Sequence, residues 1–264
     1  LVGSEMCIRD RCGKDRIHPS TDGHLVMAYL FLKAQGLAGK PVADIRIDGA
    51  GKKVTRSDNC RVSDLSVSSD NLTFTYEAKS LPYPIDTSYY DNEKHTQADA
   101  LSVIPFMDEM NYEGLSVSGL SDGYYGLTIG GEFIGRFTAR ELERGINMAL
   151  LQNTPQYKQA MKIRQMNEER WLKERKMREF YWVEYNLMRK TGMLWACNEA
   201  AVDTLRKYRP HDIFLQWNGD LWLQYMHKGI REDCVNEQQD LVNQIYEQNK
   251  PIPLRIEIKK FTDL

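Results

Sequence analysis

The sequence predicts a mixed α+β chain: one helix, then antiparallel β-hairpins, then a helical C-terminal region. Three observations carry this. Leu25, Val26, Tyr29, Leu30 and Leu32 recur at three- and four-residue spacing. Between residues 42 and 80, and again from Leu115 to Phe137, the apolar period drops to two, with turn residues at hairpin spacing. After about residue 150 the chain turns highly charged, and from 156 to 190 it contains neither glycine nor proline.

Each element has its own signal. Pro19-Ser20-Thr21-Asp22 is turn and cap chemistry, so Ser20 or Thr21 is expected to accept from the first free N–H groups of a helix that Gly36 and Gly39 stop. The apolar face of that helix is wide and calls for a large packing partner, such as a sheet supplied from elsewhere. Ile45 and Ile47 alternate with charged residues, and Asp48-Gly49 turns. Val62, Leu65 and Val67 follow, and Asp70-Asn71 turns again before Leu72, Phe74 and Tyr76. Residues 80 to 98 have no period and read as loop. Ser121-Asp122-Gly123 and Gly130-Gly131 mark further hairpins. Thr138 and Glu141 have capping-box spacing. Thr154-Pro155 offers an N-cap followed by proline at the first helical position, opening one long helix or two over 155–190. Helices are also expected at 197–208 and 230–248, with Leu254, Ile256 and Ile258 forming a terminal strand.

Composition narrows the function classes. The 264 residues are 42% hydrophobic, enough for a core, and 35 basic against 37 acidic side chains leave a net charge of −2. Neither a polyanion binder nor a cationic membrane binder is suggested. The longest apolar run, Leu25 to Leu32, is far short of the roughly 18 to 20 residues that span a bilayer. Cys7, Cys12, Cys60, Cys197 and Cys234 form no CxxC pair and read as scattered thiols rather than a disulfide framework or zinc site. At the N-terminus, Ser4 to Arg11 (SEMCIRDR) looks like translated sequencing-adapter read-through, making residues 1–11 an artefactual leader. An ordinary loop is the plainer alternative.

One short segment carries catalytic chemistry. Asp15-Arg-Ile-His18-Pro19 precedes Gly23-His24 at the helix start. A serine hydrolase needs an imidazole to take the nucleophile's proton and a carboxylate to hold that imidazole in one tautomer. A three-residue separation lets one loop supply both, and Pro19 stiffens it. The plainer reading of the pair is a loop with an Asx-type hydrogen bond.

The block from about residue 13 to 38 resembles the last motif of the SGNH/GDSL hydrolases, D-x-x-H-P before the final helix of a three-layer α/β sandwich. The stretches Leu115 to Tyr124 and Phe137 to Asn147 are similar to C-terminal extensions of secreted bacterial members. The resemblance implies that His18 is the general base and Asp15 its orienting carboxylate. It also implies that the serine and the glycine and asparagine of the oxyanion hole lie in earlier blocks, which no residue here matches. Ser20 cannot serve, because two residues along a proline-stiffened turn do not bring its hydroxyl to the imidazole. The chain is thus expected to divide into a leader (1–11), the remnant of a hydrolase domain (12–39), a small β-rich region (40–150) and a mainly helical region (151–264).

The remaining candidates read as structural. His24 is a first-turn packing or capping group, and Asp22 stabilises the helix N-terminus through its dipole. His95, His211 and His227 have no ligand spacing, so no metal is expected, and nothing implies an organic cofactor. Eight basic residues between Lys158 and Arg178 are interleaved with Glu168, Glu169 and Glu174, which reads as a solvated face over an apolar seam of Tyr157, Met161, Trp171, Leu172 and Phe180, not a nucleic-acid track. Tyr83, Tyr89, Tyr90, Trp217 and Trp222 could stack on sugars, although packing is the plainer role.

The expected function is therefore acyl-ester hydrolysis by a parent enzyme acting on a small ester or acylated carbohydrate in a secreted or periplasmic bacterial setting, with this fragment itself inactive. The rival is a non-catalytic module that binds carbohydrate or a partner. An enzyme remnant should keep His18 and Asp15 on an exposed loop, whereas a binding module should gather aromatics on one exposed strand face.

Overall fold

A computed structural model describes residues 18–88 and 95–261. The described residues form two compact units, one from those up to 161 together with 250–261 and the other from 162–249.

The first unit is built on two β-sheets. One has the order β2-β1-β5-β8, from Lys53–Asp58, Ala43–Asp48, Glu113–Ser118 and Ile146–Asn147. The other has the order β3-β4-β9-β6-β7, from Cys60–Val67, Asn71–Ala78, Leu254–Lys260, Tyr124–Ile129 and Glu132–Thr138. Period-two patterning explains how the sheets pack. Ile45 and Ile47, Leu72, Phe74 and Tyr76, Leu115 and Val117, Tyr125, Leu127 and Ile129, and Ile256 and Ile258 all point into one apolar cluster shared by both sheets. Gly130 and Gly131 both have positive φ, as a two-residue hairpin turn between Ile129 and Glu132 requires.

Three features depart from the sequence reading. β1 and β5 pair in parallel, with Ile45 opposite Leu115, so the sheets are not purely antiparallel. β2, Lys-Val-Thr-Arg-Ser-Asp, is an exposed edge strand with no apolar alternation to betray it. β9 lies between β4 and β6 in the middle of its sheet.

Helix α1, Thr21–Ala34, packs Leu25 and Tyr29 against Ile85, Ala100, Ile104, Phe106 and Met107. These partners come from the loop after β4, a 3₁₀ turn at Gln97–Ser102 and the short helix α2, Phe106–Glu109. Tyr29 Oη donates to Glu109 Oε2 at 2.7 Å, and Lys33 Nζ reaches the same oxygen at 2.7 Å. Helix α3, Ala139–Arg144, starts with the expected capping box: Thr138 Oγ1 accepts from the Glu141 N–H, and Glu141 Oε2 accepts from the Thr138 N–H.

Helix α4, Pro155–Val183, carries the chain out of the first unit. Thr154 Oγ1 accepts from the Tyr157 N–H at its start, and a π-turn at Glu184–Met188 continues it. Helices α5 (Glu199–Tyr208), α6 (Ile213–Tyr225) and α7 (Lys228–Gln248) complete the second unit. Its core gathers Phe180, Val183, Met188, Leu205, Leu215, Trp222 and Cys234. Trp171 and Leu172, expected in the apolar seam of α4, are exposed instead. The charged face does carry i,i+4 pairs, Arg164–Glu168, Arg170–Glu174 and Arg175–Glu179, as a solvated surface should. No helix among the described residues is long and apolar enough to cross a membrane.

Candidate functional site

The sequence nominates the turn that leads into α1. Of the two residues predicted to do chemistry, Asp15 lies outside the described residues. His18 is described and exposed, in the bend just before Pro19.

Ser20 occupies the N-cap position of α1 but makes no side-chain cap hydrogen bond, contrary to expectation. Its hydroxyl donates to Asp22 Oδ1, which also accepts from the Gly23 N–H at 2.9 Å. One carboxylate oxygen thus accepts both from the hydroxyl and from a first-turn amide. Asp22 is fully buried in that first turn, where the helix dipole favours negative charge, as the sequence suggested. His24 is exposed on the same turn, so a packing role does not hold for it.

Only half of the apolar circumference of α1 is covered. Leu25 and Tyr29 are buried, while Met27, Leu30 and Phe31 are 59%, 56% and 64% exposed. The wide apolar face read from the sequence is real, but among the described residues its buried side meets the small cluster under the 80–110 segment.

Among the buried carboxyls that escaped the sequence reading are Glu113 and Glu184. Glu113, at the start of β5, is fully enclosed. Its Oε1 accepts from Tyr76 Oη at 2.7 Å and from Gln156 Nε2 at 3.2 Å, while Oε2 has no partner. Burial pushes its carboxyl up to about 7, against the opposing effect of those two donors. Burial, followed by the adjacent carboxyl, likewise drives the Tyr76 phenol far upward. In the second unit, Glu184 in the π-turn accepts from Trp222 Nε1 at 2.7 Å and from the Trp195 N–H at 2.8 Å. Neither had a sequence signal, because Glu113 stands in a strand start and Glu184 in a charged helix. Both knit their cores together through these hydrogen bonds, as structural groups do.

The aromatic candidates separate. Trp222 is core, and Tyr83 packs edge-on against Phe106 at 5.7 Å. Trp217 is exposed beside Phe214. Tyr89 and Tyr90 lie outside the described residues. An aromatic group not anticipated in the sequence lies on the outer face of the β9-β6-β7 edge. There Tyr124, Phe133 and Phe261 are exposed, and the Arg136 guanidinium sits 3.8 Å above the Tyr124 ring. Phe133 and Phe261 lie over Gly126, where a Cβ would meet their rings at 3.2 and 3.3 Å. No group of three or more metal-ligating side chains exists among the described residues.

Residues 161–250, almost coincident with the second unit, match the family described as the diltiazem deacetylase C-terminal helical domain. The whole chain has a solved counterpart as well. It is similar to BT4096, a gut microbial diltiazem-metabolizing enzyme. The similarity covers 98% of this chain at 39% identity with a TM-score of 0.91. This chain spans 60% of the length of that enzyme. No curated protein sequence matches it.

Proposed function

We propose that the protein containing this chain is an acyl-ester hydrolase of SGNH/GDSL type, acting on small-molecule or carbohydrate esters. The likeness across 98% of the chain to a diltiazem-metabolizing enzyme carries this reading. A helical unit matching a deacetylase domain supports it, since deacetylation is acyl transfer to water.

In this reading His18 takes the proton of a serine that attacks the ester carbonyl, then returns it to the departing alcohol. Asp15 holds the ring in the tautomer that accepts at the reacting nitrogen and stabilises the imidazolium. Serine and oxyanion donors come from outside the 264 residues, and the exposed Met27-Leu30-Phe31 face of α1 packs on the layer that bears them. The enzyme would act in a secreted or periplasmic setting.

The test is hydrolysis of p-nitrophenyl acetate and of diltiazem by the longer protein and by residues 1–264. The longer protein is expected to turn both over, with His18→Ala lowering kcat by about a hundredfold or more. The 264-residue chain is expected to be silent. Turnover by the short chain that depends on His18 would place the nucleophile within it, and an unaffected His18→Ala longer protein would remove His18 from the chemistry.

The accessory-module reading draws on a different observation, the Tyr124, Phe133 and Phe261 group on an open strand face. Aromatic rings flanked by an arginine suit the apolar faces and hydroxyls of sugars. On this reading, Tyr124→Ala weakens retention on a polysaccharide matrix and leaves ester turnover untouched. Unchanged retention would discard it.

A further inference from the structure

Cys197 stands apart from the other described cysteines. Cys60 and Cys234 are 8% and 4% exposed, within the two cores, whereas Cys197 is exposed. Its Sγ lies 3.4 Å from Nδ1 of His227, and that ring is exposed too.

The fold makes this juxtaposition, not the sequence, in which the two residues are thirty positions apart. Cys197 immediately precedes Asn198, the N-cap of α5, and His227 is the N-cap of α7. Asn198 spends its side-chain oxygen on the Ala201 N–H at 3.0 Å. His227 makes no side-chain cap hydrogen bond, so the ring is turned to the sulfur rather than to its own helix. The pair thus sits where two helices of ten and twenty-one residues begin. The nearest charged neighbour in sequence, Lys228, is paired with Glu232 at 3.2 Å.

We propose that Cys197 and His227 form a nucleophile–base pair, making Cys197 a covalent modification site for small, soft carbon electrophiles such as α-haloamides. With the proton of the neutral ring on Nε2, Nδ1 offers a lone pair to the thiol. As a sulfur lone pair forms the S–C bond, the carbon–halogen bond breaks and the halide leaves with its electron pair. The thiol proton passes to Nδ1, and the imidazolium later releases it to water. The products are the thioether and hydrogen halide, with no oxidant or metal required. The exposure of both side chains leaves room for the electrophile, and the buried Cys60 and Cys234 do not compete.

The experiment is iodoacetamide alkylation of the folded 264-residue chain near neutral pH, with each cysteine followed by peptide mass spectrometry and glutathione as the reference thiol. Cys197 is expected to react about tenfold faster than glutathione, while Cys60 and Cys234 stay unmodified. His227→Gln should bring Cys197 to the glutathione rate without moving the unfolding temperature. His227→Asn is the sharper variant, because an amide near the Nδ1 position can hold a hydrogen bond but cannot take a proton. It should react as slowly as the glutamine variant. Cys197→Ser should abolish the fast phase. A wild-type rate equal to that of glutathione, or a His227→Asn rate equal to wild type, would overturn the proposal.

Discussion

Glu113→Gln is expected to stabilise the β-sandwich in mildly alkaline solution and to leave it unchanged in acid. In the fold the carboxyl titrates at about 7, against an ordinary 4.5, because burial disfavours its charged form. The sign follows from linkage. An acid whose folded value is raised binds its proton more tightly in the folded state, so stability falls as pH rises from 4.5, and the full penalty is reached above 7. At roughly 1.4 kcal/mol for each tenfold difference in proton affinity, the interval from 4.5 to about 7 amounts to about 3 kcal/mol. Glutamine carries no charge at any of these pH values. Its amide also places two hydrogens where Glu113 Oε2 stands unpartnered, in a cluster where Gln156 Oε1 lacks a donor. The reporter must be chosen with care. All five tryptophans, from Trp171 to Trp222, belong to the second unit, so their fluorescence does not follow this transition. Exchange of the buried β4 and β6 amides does. The variant should match wild type at about pH 4 and exceed it by up to about 3 kcal/mol at about pH 8. A difference that does not change with pH, or a variant less stable than wild type at both, would refute a neutral buried carboxyl.

Other consequences are as direct. Trp222→Phe removes one of the two donors to the buried Glu184 carboxylate and should destabilise the helical unit by about 2 kcal/mol, measured by urea unfolding followed through the remaining tryptophans. Phe74→Ala empties a fully buried site in the shared core and should weaken the sandwich by about 3–5 kcal/mol, seen as faster exchange of the β4 amides. Thr138→Ala deletes the hydroxyl half of the α3 capping box, with a loss of about 1 kcal/mol by the same exchange measurement. Ending the chain after Lys250 removes β9 and should abolish the β-sheet circular dichroism while sparing the helical signal.

Legibility tracked how local each feature is. The hairpin at Gly130-Gly131, the capping box at Thr138 and Glu141 and the start of α4 at Thr154-Pro155 are written in neighbouring residues, and the structure has all of them. β2 was invisible because an edge strand with both faces in water needs no apolar alternation. Helix α6 was not expected from the sequence, and it contains Gly219. In the fold a Cβ there would come within 3.2 Å of Arg209 Nε, so glycine serves close packing rather than a turn. The parallel β1–β5 pairing joins strands some seventy positions apart and leaves no sequence pattern. For the candidate site, the His18 turn was readable as a motif, whereas the Cys197–His227 contact depends on how α5 and α7 begin side by side.

The position of β9 bears on how the molecule is made. Its neighbours β4 and β6 are both synthesised before the helical unit, and the strand that must separate them comes only after it. On the ribosome, then, the two halves of that sheet wait with open edges while residues 162–249 emerge. A stretch that can fold from local contacts has time to do so first. An early stop before Leu254 would therefore release a chain with finished helices and two exposed sheet edges, a species that chaperones should hold and proteases should clear.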